Sequence, residues 1–208
     1  MKILAWLSIF ILVVIVSCSK DNVPENTISS DQVPNSIGDY WKYSIHSFNG
    51  DPRGFLEVRV IKKLILPDGR EATSYTYSYP EFTDTIYKVF NGEILEEYKR
   101  YPGTTDKLYT VMRYIFPMEK GMKWAITPSI YSDSVVVVAD TAITVPAGSF
   151  EHVAQLGFVP THLVGNYWNQ SHYWFSPHVG IVRMEHAVYN MGYDEYYGVY
   201  DLMEFRLK

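Results

Sequence analysis

From Asp39 almost to the C-terminus, apolar side chains recur at every second position rather than every third or fourth. That spacing lines up one face of an extended strand and rules out amphipathic helices as the main building block. Trp41, Tyr43 and Ile45 share a face, and Leu56, Val58 and Val60 share another with Glu57 and Arg59 opposite. Tyr75, Tyr77 and Tyr79 alternate with Thr and Ser, and near the end Met203, Phe205 and Leu207 alternate with Glu204 and Arg206. The same pattern predicts strands near 84–90, 94–101, 107–116, 130–139, 153–164, 171–176, 179–189 and 195–207. Pro67-Asp68-Gly69-Arg70 and Asn91-Gly92 read as tight hairpin turns between them. A sheet of about ten short strands twists and curls toward a barrel. The expected fold is therefore all-β: a single antiparallel, strongly curved sheet, a half-barrel or open barrel, with little helix.

Near the middle, Thr141, Ile143 and Val145 run into Pro146-Ala147-Gly148-Ser149-Phe150. Pro146 has no N–H for a ladder and suits the second position of a type I turn, with Gly148 at the fourth. Ser149 is placed to cap one helical turn that would drop Phe150 into the core.

The N-terminus has a different character. Lys2 precedes an apolar run from Ile3 to Val16, then Ser17 and Cys18. As a helix that run spans about 21 Å, short of a bilayer crossing. A charged start, a short apolar core and a small residue before the break read as a secretory signal over residues 1–17. Cys18 is the only cysteine, so an exported chain of this kind has no internal disulfide and depends on its own core. Residues 18–31 are polar and Pro-bearing, as a flexible tether would be, and residues 32–208 form one β domain. The net charge of −5 shows no basic patch, which argues against nucleic acid as a partner.

Several short motifs carry a resemblance. Ile15-Val16-Ser17-Cys18 resembles a bacterial lipobox, which implies that Cys18 is lipidated and that the membrane is a partner through this anchor. Ser19 after that cysteine resembles lipoproteins sorted to the outer membrane. Val33-Pro34 with Gly38-Asp39-Tyr40-Trp41-Lys42-Tyr43, the Pro146-Ala147-Gly148-Ser149-Phe150 corner, and Tyr173-Trp174-Phe175 through Val179-Gly180-Ile181-Val182 are similar to elements of uncharacterised bacterial lipoproteins. The resemblance implies a curved β half-barrel of the lipoprotein-carrier type with an apolar concave face. His178 departs from the pattern, standing where a small residue is usual.

Chemistry-bearing residues give less. His152, His162, His172, His178 and His186 crowd the last third, yet no spacing matches a metal-ligand motif, so no metal and no cofactor is expected. Gly148-Ser149 lacks the nucleophile elbow, and Glu96, Glu97, Asp133 and Asp140 are no more than any acidic β protein offers for paired-carboxylate chemistry. No catalytic residue and no enzyme activity are expected. The aromatic load, 16% of residues with 18 Tyr, is the stronger lead, because Tyr and Trp join a large apolar area to a polar tip. The leading expectation is a non-enzymatic, lipid-anchored envelope protein binding an apolar or amphipathic, lipid-like ligand on its concave face through Trp41, Tyr43, Trp124 and Trp174. The alternative is an interaction lipoprotein that meets an envelope protein or glycan through exposed aromatics.

Overall fold

The structure, a computed structural model, describes residues 28–127, 133–160, 168–190 and 193–208. The signal segment, Cys18 and the tether up to residue 27 lie outside the described residues. The folded part already includes Ile28, buried and bridged antiparallel to Met118, and a 3-10 turn at Ser30–Gln32. The fold thus takes in the last four residues that composition assigns to the tether.

Among the described residues, thirteen strands follow in one sheet: β1 (Tyr40–His46), β2 (Pro52–Ile65), β3 (Glu71–Ser78), β4 (Thr83–Asn91), β5 (Ile94–Arg100), β6 (Leu108–Ile115), β7 (Lys123–Ala125), β8 (Ser134–Val145), β9 (Gly148–Val159), β10 (Trp168–Asn169), β11 (His172–Ser176), β12 (Gly180–Asn190) and β13 (Tyr193–Arg206). The order is β6-β5-β4-β3-β2-β1-β13-β12-β11-β9-β8-β7, with the short β10 beside β12, and every pairing is antiparallel. The expected fold class holds, with thirteen strands in place of about ten. Nearly all the meander comes from consecutive hairpins, and the chain's two ends meet where β1 pairs β13.

Register slips at Lys42/Tyr43, Val60/Lys62, Glu97/Tyr98, Val137/Ala139 and Trp174/Phe175 are what bend this sheet. Each bulge adds a residue to one strand, which raises the local twist and turns the ladder inward. The sheet curls until its edges, β6 and β7, face each other. There Trp124 of β7 donates its indole Nε1–H to the carbonyl of Arg113 on β6 at 2.7 Å. One core cluster, including Phe116, Met118, Trp124, Leu156 and Phe175, fills the space behind that seam. The result is a nearly closed barrel.

The turns behave as their residues dictate. Gly69 accommodates a φ of 87° in the turn after Leu66, and Gly92 takes 59° at the first central position of the β4–β5 hairpin. The mid-chain corner differs from expectation. Val145 pairs directly with Gly148, and Ser149 continues as strand opposite Thr144, their hydroxyls 2.9 Å apart. No helical turn forms, because a side-chain partner across the hairpin takes the hydroxyl that a cap would need. Ala147 N–H donates to the carbonyl of Leu202, docking the hairpin tip onto β13. Phe150 is only half-buried, its ring 6.2 Å from that of Phe205.

Candidate functional site

Strand alternation decides which side chains enter the barrel. Tyr75 and Tyr77 on β3, Ile86 and Lys88 on β4, Leu95 and Glu97 on β5, Met112 and Tyr114 on β6, Tyr173 and Phe175 on β11, and Met184 and His186 on β12 all line the interior. The tight β4–β5 turn sets Asn91 opposite Ile94, which places Lys88 opposite Glu97. Their Nζ and Oε1 lie 2.7 Å apart with side chains only 12% and 11% exposed. Charges this deep persist only when paired. Burial alone pulls the Lys88 pKa down, but Glu97, with help from Tyr75 and Tyr43, outweighs it and leaves the ammonium above its ordinary value. The ammonium also sits 4.4 Å from the centre of the Tyr75 ring.

The ion pair divides the interior. On the side of the N-terminal segment is a small cavity of about 60 Å³ bounded by Val33, Trp41, Tyr43, Tyr75 and Val179. Trp41 Nε1–H donates to Val179 O at 2.7 Å, Tyr43 O–H to Ile181 O at 2.8 Å, and Tyr75 O–H to Pro34 O at 3.1 Å. These bonds cross the lumen and close that end. On the other side is a chamber of about 180 Å³ that opens at the end bearing the β3–β4 and β5–β6 turns. Tyr77, Tyr79, Tyr114, Tyr173, Tyr200 and His186 wall it, and Glu97 reaches it while Lys88 does not. Asp84 and Lys99 pair at the rim, 2.5 Å apart.

Burial, and after it the charge of Glu97, holds the Tyr77, Tyr114 and Tyr173 phenols well above their ordinary pKa. His186 lies between the rings of Tyr173 and Tyr200, with centroids 5.2 and 5.4 Å away, and its Nε2 is 3.4 Å from the Tyr173 hydroxyl. Burial lowers its pKa from 6.5 to about 4. The unfolded chain therefore takes up this proton first, so stability is full above about pH 6.5 and falls as the pH drops toward 4. The loss is on the order of 1–3 kcal/mol, its upper figure reduced because His186 lines the open chamber and is only partly buried. His186→Gln should flatten that part of a pH series of melting temperatures. A variant whose profile matches wild type between pH 7 and 4.5 would place the sensitivity elsewhere.

Of the residues singled out from sequence, Trp41 and Tyr43 line the small closed cavity with their polar tips satisfied, and Trp124 spans the seam. Trp174 is on the other face of β11, opposite Gln155, with the Arg183 guanidinium 5.5 Å from its ring centre. The structure thus brings three of the four inside, and none of the four borders the chamber. The histidines do not converge either. His152 and His178 are exposed, His172 lies beside Trp174, and His162 is outside the described residues. Among the described residues no three His, Cys, Asp or Glu come together. Sequence reading passed over Lys88 and Glu97 as a pair, although the β4–β5 turn puts them opposite each other on the apolar face with Ile86 and Leu95.

Fold and site together define a class: an antiparallel, nearly closed barrel with a small tyrosine-walled chamber at one end. No protein-family model matches the chain, and no curated protein matches it. Among solved structures, a Bacteroides fragilis protein inferred to be exported, with a YmcC-like fold, superposes with a TM-score of 0.50 at 16% identity. The alignment covers 83% of this chain and 97% of that one. An inferred lipoprotein from Parabacteroides distasonis gives a TM-score of 0.47 at 18% identity over 84% of this chain and 98% of its own. The first likeness is one of fold.

Proposed function

We propose that this is a lipid-anchored protein of the bacterial outer membrane, non-enzymatic, that binds a small amphipathic ligand in the mouth chamber of its barrel. The chamber itself carries the reading. Ligand sites combine apolar walls with a few placed polar groups, and this one sets tyrosine rings and Met112, Ile181 and Met184 around the Glu97 carboxylate, with the Asp84–Lys99 pair at its rim. An apolar cavity of about 150 Å³ holds benzene, so a space of this size takes a ring or a short chain. Any longer tail would leave through the mouth. Binding is favoured over catalysis because His186 stays neutral and the Tyr77, Tyr114 and Tyr173 phenols stay protonated, so none of these four is poised for proton transfer near neutral pH.

Two measurements test this reading. Val111→Trp, at the chamber wall, should block occupancy. Native mass spectrometry of protein isolated from its own membranes should then show a small bound molecule on wild type that the variant lacks. Equal spectra would refute the chamber as a ligand site. For the anchor, Cys18→Ser should move the protein from the carbonate-washed membrane fraction to the soluble one, and a variant that stays membrane-bound would refute lipidation. The alternative, an interaction protein, draws on Phe82 and Tyr101, each about half exposed on turns at the mouth end. A protein partner retained equally by wild type and Val111→Trp would favour it.

A further inference from the structure

Resting on the chamber reading, we infer that the ligand is a small organic cation, an alkyl- or arylammonium, held by the tyrosine faces over the Glu97 carboxylate. The mouth chamber is asymmetric in charge. Glu97, only 8% exposed, borders both the inner cavity and the chamber, while Lys88 borders the inner cavity and the recess near Lys63 and Thr73. A ligand arriving through the mouth therefore meets the carboxylate first, with the ammonium on its far side. Oε1 of Glu97 is fully buried and accepts from the Lys88 ammonium at 2.7 Å. A carboxylate has about four lone-pair directions, so Glu97 has acceptor capacity that the protein leaves unused.

The walls fit the same ligand. Aromatic rings carry negative potential on their faces, and cages of them are the usual receptacle for ammonium groups. Tyr77, Tyr79, Tyr114, Tyr173 and Tyr200 supply such rings, and a phenol oxygen among them can accept from an N–H donor. The remaining charges do not reverse this field. Asp84 and Lys99 cancel at the rim, and His186 is uncharged near neutral pH. Glu97 is also felt by the surrounding phenols, as the second cause after burial that keeps Tyr114 and Tyr173 protonated. The same field attracts a cation and disfavours a carboxylate.

Calorimetric titration of the full-length protein in uncharged lipid vesicles, with protein-free vesicles subtracted, tests this using three probes that share one ring. They are 2-phenylethylammonium, 2-phenylethanol and phenylacetate. The cation should bind about tenfold or more tighter than the alcohol, and phenylacetate weakest. In Lys88→Met/Glu97→Gln, which leaves no unpaired buried charge, the cation's advantage should shrink to about twofold or less while the alcohol binds as before. The three-probe comparison on wild type is decisive even if that variant fails to fold. Alcohol or phenylacetate binding as tightly as the cation would overturn the inference and leave the chamber as a ligand site. No binding by any of the three would overturn both. A cation preference that survives in a folded double variant would remove Glu97 as its source and overturn the inference.

Discussion

Lys88→Met is expected to lower the unfolding free energy by about 3–5 kcal/mol, the loss typical when one partner of a buried ion pair is removed. Glu97 is the reason. Its Oε1 is buried, and Lys88 is the charge that compensates it at 2.7 Å. Methionine fills the lysine's volume, so packing changes little and the effect isolates the charge. Removing both partners is different, because neither charge is then left to desolvate alone. Lys88→Met/Glu97→Gln should return to within about 1 kcal/mol of wild type. Denaturant melts of the single and double variants, compared as a cycle, read this directly. A single variant as stable as wild type would show that Glu97 reaches enough water in the chamber to stand alone. In that case the lumen is wetter than its burial implies.

How far the sequence reveals this architecture depends on the kind of signal. Period-two alternation places most of the strands, because each face of a curved sheet meets one environment. Bulges leave no such mark, since an inserted residue looks like any other. The closure at Trp124 and Arg113 is therefore hidden, and the pattern implies a half-barrel or open barrel without saying where its edges meet. Adjacent aromatics defeat alternation altogether. Tyr173 and Trp174 are both large, and either could point inward; the pairing of Tyr173 with Leu156 and of Trp174 with Gln155 is what sends the tryptophan outside. The tyrosines of β3 were legible as a row on one face, but their gathering with β6 and β11 around Glu97 depends on contacts some 40 to 100 residues away in sequence. The corner at Pro146 is legible as a turn, but beyond it local capping propensity loses to the cross-strand partner at Thr144.

Phe116 and Phe150 give the second large expected effect, as a contrast. Phe116 is 1% exposed, directly after β6, with its ring 6.0 Å from that of Phe175 in an edge-on arrangement. It also fixes the chain there, its N–H donating to the carbonyl of Glu93 at 2.8 Å. Truncation leaves that backbone bond intact but opens a cavity beside the seam, where Met118 and Trp124 belong to the same cluster. Phe116→Ala should therefore cost about 3–5 kcal/mol. For a domain of this size that lowers the melting temperature by roughly 10 °C. Phe150, half-buried against Phe205 at the hairpin tip, has less to lose, and Phe150→Ala should cost roughly half as much. The seam variant should also weaken closure between β6 and β7, so amide hydrogens of β6 should exchange faster in Phe116→Ala than in Phe150→Ala. Equal destabilisation by the two substitutions would mean that the hairpin tip is as much a part of the core as the seam. The barrel would then be held shut from its closed end rather than along its edges.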